Sequence, residues 1–303
     1  MRFLLAAALA ASLSNGLAHG EQPANAKVSA AGVASCANDP SWTAPQRPFR
    51  IYGNTWYVGP RGLGVFLISS PKGHVLIDGG IPGYESLIES NIRALGFALR
   101  DVRWILNSHA HCDHAGGIAM LAHDTGAQVV ANAADAPLLE RGGRDDPEYG
   151  DRHPFPPVRV ARKVIDGERL QTGDLVLTAH AAPGHTKGNT TWTWTSCEGQ
   201  RCLHMVDVGS LSAPDYQLIG NAKYPNIVAD FESSFAANLP CDIALAPHPD
   251  MVFLWERVNK RDHGDADALV NPRGCRSYTE NAREGFEAEL AKQRAAAVPV
   301  NRR

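Results

Sequence analysis

The sequence predicts an α/β chain made of two β-plus-α halves, packed sheet to sheet, with helices outside and one shared core. Three observations carry this. In the first half, short strand-type runs and a helix lead to a histidine-rich loop. In the second half, strand-type runs, another histidine turn and a helix recur. No short sequence period runs through the chain, so the strands are expected in sheets under helices rather than in a repeat array.

The elements follow in order. Residues 1–18 hold an early arginine, Arg2, an apolar run from Phe3 to Leu13, and then Gly16 and Ala18, the pattern of a secretory signal peptide cleaved after Ala18 or after Ala26. Residues 27–303 are then one catalytic domain. Residues 27–48, rich in alanine, proline and serine, are expected to wrap the surface. Ile51 to Val58, Val65 to Ser69 and His74 to Ile77 read as strands, the last two separated by a Pro71-Lys72-Gly73 turn. Tyr84, Leu87, Ile88, Ile92 and Leu95 recur at helical spacing, and Gly96 stops that helix. Val102 to Leu106 is a buried strand, Gly116-Gly117 opens a helix through Ile118 and Leu121, and Gln128 to Ala131 is another strand.

Residues 141–158, rich in glycine, aspartate and proline, read as a surface loop that holds a solvated His153. Asp174 to His180, Thr190 to Thr195 and Cys202 to Val208 read as strands, the last two a hairpin. Phe231, Phe235 and Leu239 mark one helix face, Asp242 to Ala246 a final strand, and Ser277 to Ala296 a last helix with Ser277 and Glu280 as its capping box.

The balance of 44% hydrophobic and 20% charged residues is that of a globular protein. A net charge of -3 with no lysine or arginine cluster gives no face for nucleic acid. No stretch after the leader reaches about 18 uninterrupted apolar residues, so no membrane span is expected. The oligomeric state is not legible, and a monomer is the default. Export to the periplasm or beyond admits disulfides among the six cysteines. Cys197 and Cys202 read as a hairpin tip closed by a bridge, but spacing does not fix the full connectivity. A zinc role for cysteine is disfavoured by the oxidising compartment and by the absence of a Cys-x-x-Cys pair.

The chemistry is concentrated in Asn107-Ser108-His109-Ala110-His111-Cys112-Asp113-His114-Ala115-Gly116-Gly117. Three imidazoles and a carboxylate within six residues suit zinc. The motif follows a strand, where α/β proteins place their sites. His185 and His248 sit in glycine- and proline-rich turns at strand ends. Together they suggest His109, His111 and His185 for one ion and Asp113, His114 and His248 for a second. Three protein ligands per ion leave a position open for water, as in catalytic rather than structural zinc sites.

With these residues in place the chain resembles the metallo-β-lactamase superfamily. His109-x-His111-x-Asp113-His114, Gly184-His185-Thr186 and Pro247-His248-Pro249 fall in that family's order. It is similar, more narrowly, to class B β-lactamases of subclass three. The stretches that carry this are Asn54-Thr55-Trp56, Thr191-Trp192-Thr193-Trp194, Gly209-Ser210-Leu211-Ser212-Ala213-Pro214 and Leu239-Pro240-Cys241-Asp242. The resemblance implies a four-layer αβ/βα sandwich with two Zn2+ ions in a groove at the sheet edges. It implies a role for Ser210 and Ser212 in holding the carboxylate of a β-lactam, directly or through water. It also implies a Cys241–Cys275 bridge, and leaves Cys36 and Cys112 either free or paired with each other.

The implied reaction is hydrolysis of the lactam amide of penicillins, cephalosporins and carbapenems, which confers antibiotic resistance. Metal-bound hydroxide, oriented by Asp113, is the attacking group. Asp78, at the end of a strand, is expected to orient a ligand or the metal loop from behind. Another hydrolase on the same scaffold, a lactonase or a glyoxalase II-like thioester hydrolase, is the alternative. Such enzymes add a metal-bridging aspartate after the strand at 202–208, where this chain offers Asp207. A non-catalytic periplasmic zinc-binding protein is the remaining reading, and it would call for closed coordination.

Overall fold

A computed structural model describes residue 36 and residues 39–297. The expected signal peptide lies outside the described residues. Seven strands form the first sheet in sequence order: β1 (Phe49–Tyr52), β2 (Thr55–Tyr57), β3 (Phe66–Ile68), β4 (His74–Ile77), β5 (Val102–Leu106), β6 (Gln128–Asn132) and β7 (Arg162–Val164). β8 (Arg169–Thr172), β9 (Leu175–Ala181), β10 (Thr190–Glu198), β11 (Arg201–Asp207) and β12 (Ile243–Leu245) form the second, ordered β12-β11-β10-β9-β8. The two sheets face each other across one core. Phe66, Ile68, Val75 and Ile77 of the first meet Leu177, Trp192, Trp194 and Met205 of the second, all buried.

Helices cover the outer faces. α1 (Glu85–Ala94), α2 (Cys112–Ala115), α3 (Ile118–Thr125) and α4 (Ala136–Glu140) belong to the first half. There Ile88, Ile92, Ile118, Leu121 and Leu139 pack with Leu67, Leu76 and Ile105 in a second cluster. α5 (Ile227–Phe235), α6 (Leu254–Asp262) and α7 (Gly274–Ala297) belong to the second half. Phe231 and Phe235 stack on each other and on Phe286 of α7. This is the four-layer αβ/βα sandwich. β4, β5, β6 and β7 run parallel, so the ends of β4 and β5 open on the same edge as the loop that follows each.

Several expectations are corrected. The run Ile51 to Val58 is a hairpin of β1 and β2, because Gly53 turns the chain at φ 50°. Its Cβ position lies against Cys197 backbone, so only glycine fits there. The last helix begins at Gly274, so Ser277 is inside it and donates its N–H to Arg273 instead of capping. Leu239 lies past the end of α5. β7, β8, α4 and α6 were not expected. β7 and β8 are three and four residues long and carry two arginines and a lysine, too polar and short for a strand pattern. α6 buries only Leu254.

Disulfides join Cys36 to Cys112, Cys197 to Cys202 and Cys241 to Cys275. Their sequence separations of 76, 5 and 34 residues set an order of stabilisation on the loop-entropy account. It is about 4–5 kcal/mol for the first, about 2 for the second and about 3–4 for the third. Urea unfolding of paired Cys→Ala variants is expected to follow that order. A Cys197→Ala/Cys202→Ala pair that costs most would contradict it.

Candidate metal centre

The strand ends and the parallel register bring six side chains to one edge. β5 stops at Leu106, and Asn107 to His111 form a bent loop that enters α2 with His111 extended. The histidine motif is therefore part loop and part helix: Asp113 and His114 lie on α2, not on the loop that the sequence suggests. α2 is pressed against the turn after β4, where a Cβ on Gly116 would meet Pro82 and the Cys112 carbonyl. The Cys36–Cys112 bridge ties α2 to the N-terminal segment.

His185 follows Gly184, whose φ of 132° and whose contact with the Phe231 ring exclude a side chain there. The turn thus holds His185 against α5. His248 follows Pro247, whose carbonyl accepts the Gly64 N–H at 2.7 Å. The Trp42 ring lies 5.4 Å from His248.

Two trios result. His111 Nδ1 lies 3.1 Å from His185 Nε2. His109, His111 and His185 each offer one nitrogen, all within 4.8 Å of one another. His109 Nε2 is buried with no protein partner. In the second trio Asp113 Oδ2 is 3.0 Å from His114 Nε2 and 3.4 Å from His248 Nε2, and those two nitrogens are 3.3 Å apart. Zinc with ligand bonds of about 2.0–2.1 Å in a tetrahedron needs donors about 3.3 Å apart. The donor types and spacings fit that ion, and a buried, unpartnered imidazole nitrogen is what a ligand position looks like from the protein side.

The other ring atoms are held from behind. Ser108 Oγ bridges His109 Nδ1, at 3.0 Å, and Asp78 Oδ2, at 2.6 Å. Asp78 also accepts the Ser108 N–H at 2.7 Å and an Asn107 Nδ2 proton at 3.2 Å. It adopts φ 63°, an unusual conformation for a residue with a side chain, and these bonds hold it there. Asp78 Oδ2 also lies 3.4 Å from His114 Nδ1. His185 Nδ1 donates to the Ser212 carbonyl at 2.7 Å.

Three supporting residues were not legible. Asp135, just past β6, accepts from Ala110 N at 2.9 Å, from Gly188 N at 2.7 Å and from the Thr186 hydroxyl. It thereby clamps the loop of His109 and His111 to the turn of His185. Burial pushes its carboxyl up, and the three donors oppose that. Asp146 lies 3.6 Å from His111 Nε2 and is itself fixed by the Glu148 and Tyr149 N–H groups. Against the penalty of burial, His111 and those N–H groups hold Asp146 below the usual carboxylate range. The segment 141–158 is thus not only a surface loop. His153 sits there against the Tyr149 ring, outside both trios. Tyr216, whose hydroxyl donates to the His185 carbonyl at 3.1 Å, is the third.

Electrostatics separate the trios. Burial and neighbouring imidazoles hold His109 and His185 well below the usual histidine range, so they stay neutral. Burial opposes a charge on His114 too, but Asp113 and Asp78 overcome it and push its pKa up to about 10. Against burial, His114 and His248 hold Asp113 well below the usual carboxylate range.

Ser210 is 1% exposed, its carbonyl held by Asn189 Nδ2 at 2.7 Å. Ser212 is half-buried. Of the two, Ser212 is the more exposed residue. Asp207 belongs to neither trio. Its carboxylate is buried at the end of β11, with both oxygens unpartnered.

The sequence model of the metallo-β-lactamase superfamily matches residues 59–197. The Rm3 metallo-β-lactamase shares 45% identity, with 86% of this chain and 98% of that chain covered, at a TM-score of 0.80. The chain belongs to the metallo-β-lactamase superfamily. It is thus a hydrolase by family. A subclass B3 metallo-β-lactamase of Bradyrhizobium japonicum shares 36% identity over 86% of this chain and 99% of that one, at a TM-score of 0.80. Among curated proteins the metallo-β-lactamase chain matches a hydroxyacylglutathione hydrolase of Anaeromyxobacter dehalogenans at 34% identity over 92 residues. That match spans 30% of this chain and 29% of the relative, so the chain covers under a third of that protein's length.

Proposed function

We propose that the protein is a zinc-dependent β-lactamase that opens the amide of β-lactam antibiotics in the periplasm or outside the cell, after loss of its leader. One observation carries the reading. Both donor trios stand complete on a chain that covers almost the whole length of subclass B3 metallo-β-lactamases. His109, His111 and His185 would hold one Zn2+, and Asp113, His114 and His248 another. When bound, the ions supply Lewis acidity that makes water nucleophilic near neutral pH and polarises the lactam carbonyl.

The chain's own groups do the rest. Asp113 keeps Oδ2 toward His114 and His248, and its other oxygen can accept a hydrogen bond from the attacking water. Ser212 donates its hydroxyl to the substrate carboxylate, and Ser210 contributes through water from the floor. The supports behind His109, His111 and His185 hold the nitrogens that face the cleft as acceptors, which is the tautomer a ligand needs.

The thioester-hydrolase reading rests on the short matches to hydroxyacylglutathione hydrolases. It calls for a bridging aspartate, and Asp207 is in neither trio, its carboxylate buried between the sheets. Assays with a chromogenic cephalosporin and with S-lactoylglutathione separate the two. Turnover of the thioester alone would overturn the proposal.

Two further outcomes are expected. Ser212→Ala should raise KM about 10- to 100-fold, since a hydrogen bond to a charged group contributes about 1.5–3 kcal/mol. Zinc content should not change, because the Ser212 carbonyl rather than its hydroxyl supports His185. Unchanged KM would remove the carboxylate role.

Zinc binding should also release protons unevenly. His114 carries a proton below about pH 10 before an ion binds, so loading the second trio should displace about one proton at pH 7.5. Affinity there should fall as pH falls. His109 and His185 are already neutral, so neither should release a proton when the first trio is loaded. Calorimetry in two buffers of different ionisation enthalpy measures both, and equal release at the two sites would contradict it.

A further inference from the structure

His114 must turn Nε2 to the cleft, which leaves Nδ1 to carry the proton and to need an acceptor behind the ring. The acceptor there is shared and stands at the long limit of a hydrogen bond. Asp78 already takes the Ser108 hydroxyl at 2.6 Å, the Ser108 N–H at 2.7 Å and Asn107 at 3.2 Å, and its Oδ2 stands 3.4 Å from His114 Nδ1. His114 Nδ1 is accordingly buried without a hydrogen-bond partner.

A second deficit lies across the same layer. Asp207 is 1% exposed and neither of its oxygens has a protein partner. It ends β11 directly opposite Trp192 of β10, and cross-strand partners share a face. Trp192 points between the sheets and donates its indole N–H to the Asn107 carbonyl at 3.1 Å, so Asp207 faces the underside of the metal loop. Asp78 and His114 are the charged groups that act on Asp207. The Asn107 side-chain oxygen is unpartnered too. A buried carboxyl without a partner among the described residues calls for a compensating contact.

We infer that Asp207 is a positioning residue for the second trio, completing from the opposite sheet the hydrogen-bonded support behind the His114 ring. One buried water, bonded to Asp207, Asp78 and His114 Nδ1, makes the link, since such a water needs two to four polar partners and these supply three. Burial and the Asp78 charge both push the Asp207 carboxyl well up, so it sits there as a neutral acid that can donate as well as accept. Asp207 touches neither substrate nor metal in this arrangement. It sets the direction of the ring that would hold the second ion, and in that respect the inference rests on the two-zinc reading above.

The test compares Asp207→Asn, Asp207→Leu and wild type, as full mature chains, in zinc titrations against a chromogenic chelator, with the melting temperature of each metal-free protein. D207L removes every polar atom while keeping the branched shape, at a larger volume. It should bind the first zinc as wild type does and the second about 10- to 100-fold more weakly. Its metal-free melting temperature should hold or rise, because an unpartnered carboxyl has been replaced by apolar contact. D207N keeps an acceptor and a donor and should restore second-site affinity to within a few-fold. Should D207L fail to fold, Asp207→Ala, which introduces no bulk, is titrated in its place with the same expected loss. Wild-type affinity for the second zinc in the folded leucine or alanine variant would overturn the inference alone. A wild-type protein that binds fewer than two zinc ions would overturn the two-zinc reading and the inference with it.

Discussion

Stripping zinc from the purified protein is expected to lower cephalosporin hydrolysis by a factor on the order of a thousand or more, and adding two equivalents back should restore it. The magnitude follows from the several kcal/mol that a Lewis-acid metal contributes to transition-state stabilisation, at 1.36 kcal/mol per tenfold in rate. No side chain in the cleft would replace the ions. His109 and His185 are held neutral, and Asp113 is spoken for by His114 and His248. His185→Ala should reproduce the loss and bind one ion fewer, because it removes Nε2 from beside His111 Nδ1 without touching the second trio. Metal content and steady-state rates measured on the same samples check both. A chelated preparation that keeps its full activity, with zinc shown to be absent, would refute the metal reading.

Asp135→Ala is expected to have the next largest effect, about 3–5 kcal/mol of unfolding free energy together with loss of zinc. The carboxylate receives three buried donors, Ala110 N, Gly188 N and the Thr186 hydroxyl. Truncation strands all three, and each unsatisfied buried group costs about 1–3 kcal/mol, with less than full additivity among neighbours. The same cut separates the loop of His109 and His111 from the turn of His185, so the first trio loses its spacing. Asp135→Asn, which keeps an acceptor, should fall between alanine and wild type. Denaturant unfolding with chelator present isolates the stability term, and zinc titration the other. An alanine variant within about 1 kcal/mol of wild type would show that the clamp contributes little.

The ligand set was readable because chemistry and spacing coincide within six residues: His109, His111, Asp113 and His114 share one strand end and the first turn of one short helix. His185 and His248 were readable because glycine and proline around them announce rigid turns. Asp135 and Asp146 announce nothing. Asp135 reaches Thr186 across 51 residues of sequence, and Asp146 reaches His111 from a segment whose composition reads as solvent-exposed. Sequence distance carries no signal for such contacts; only the packing of the two sheets brings them together. The short elements β7, β8 and α4 were missed for a related reason, since three to five residues are too few to show a period.

By itself, then, the sequence determined the layer architecture, from the repetition of strand and helix patterns, and the six candidate metal donors, from local geometry that a few backbone bonds impose. The tertiary structure decided what stands behind those side chains. Asp78 is turned into a left-handed conformation to hold Ser108. Ser210 is buried while Ser212 is only half-buried. Asp207, which the sequence offered as a bridging ligand, faces the space between the sheets instead. The direction of a side chain at a strand end depends on the register of both sheets and on which face is filled. Those are properties of the whole core, and no stretch of chain states them alone.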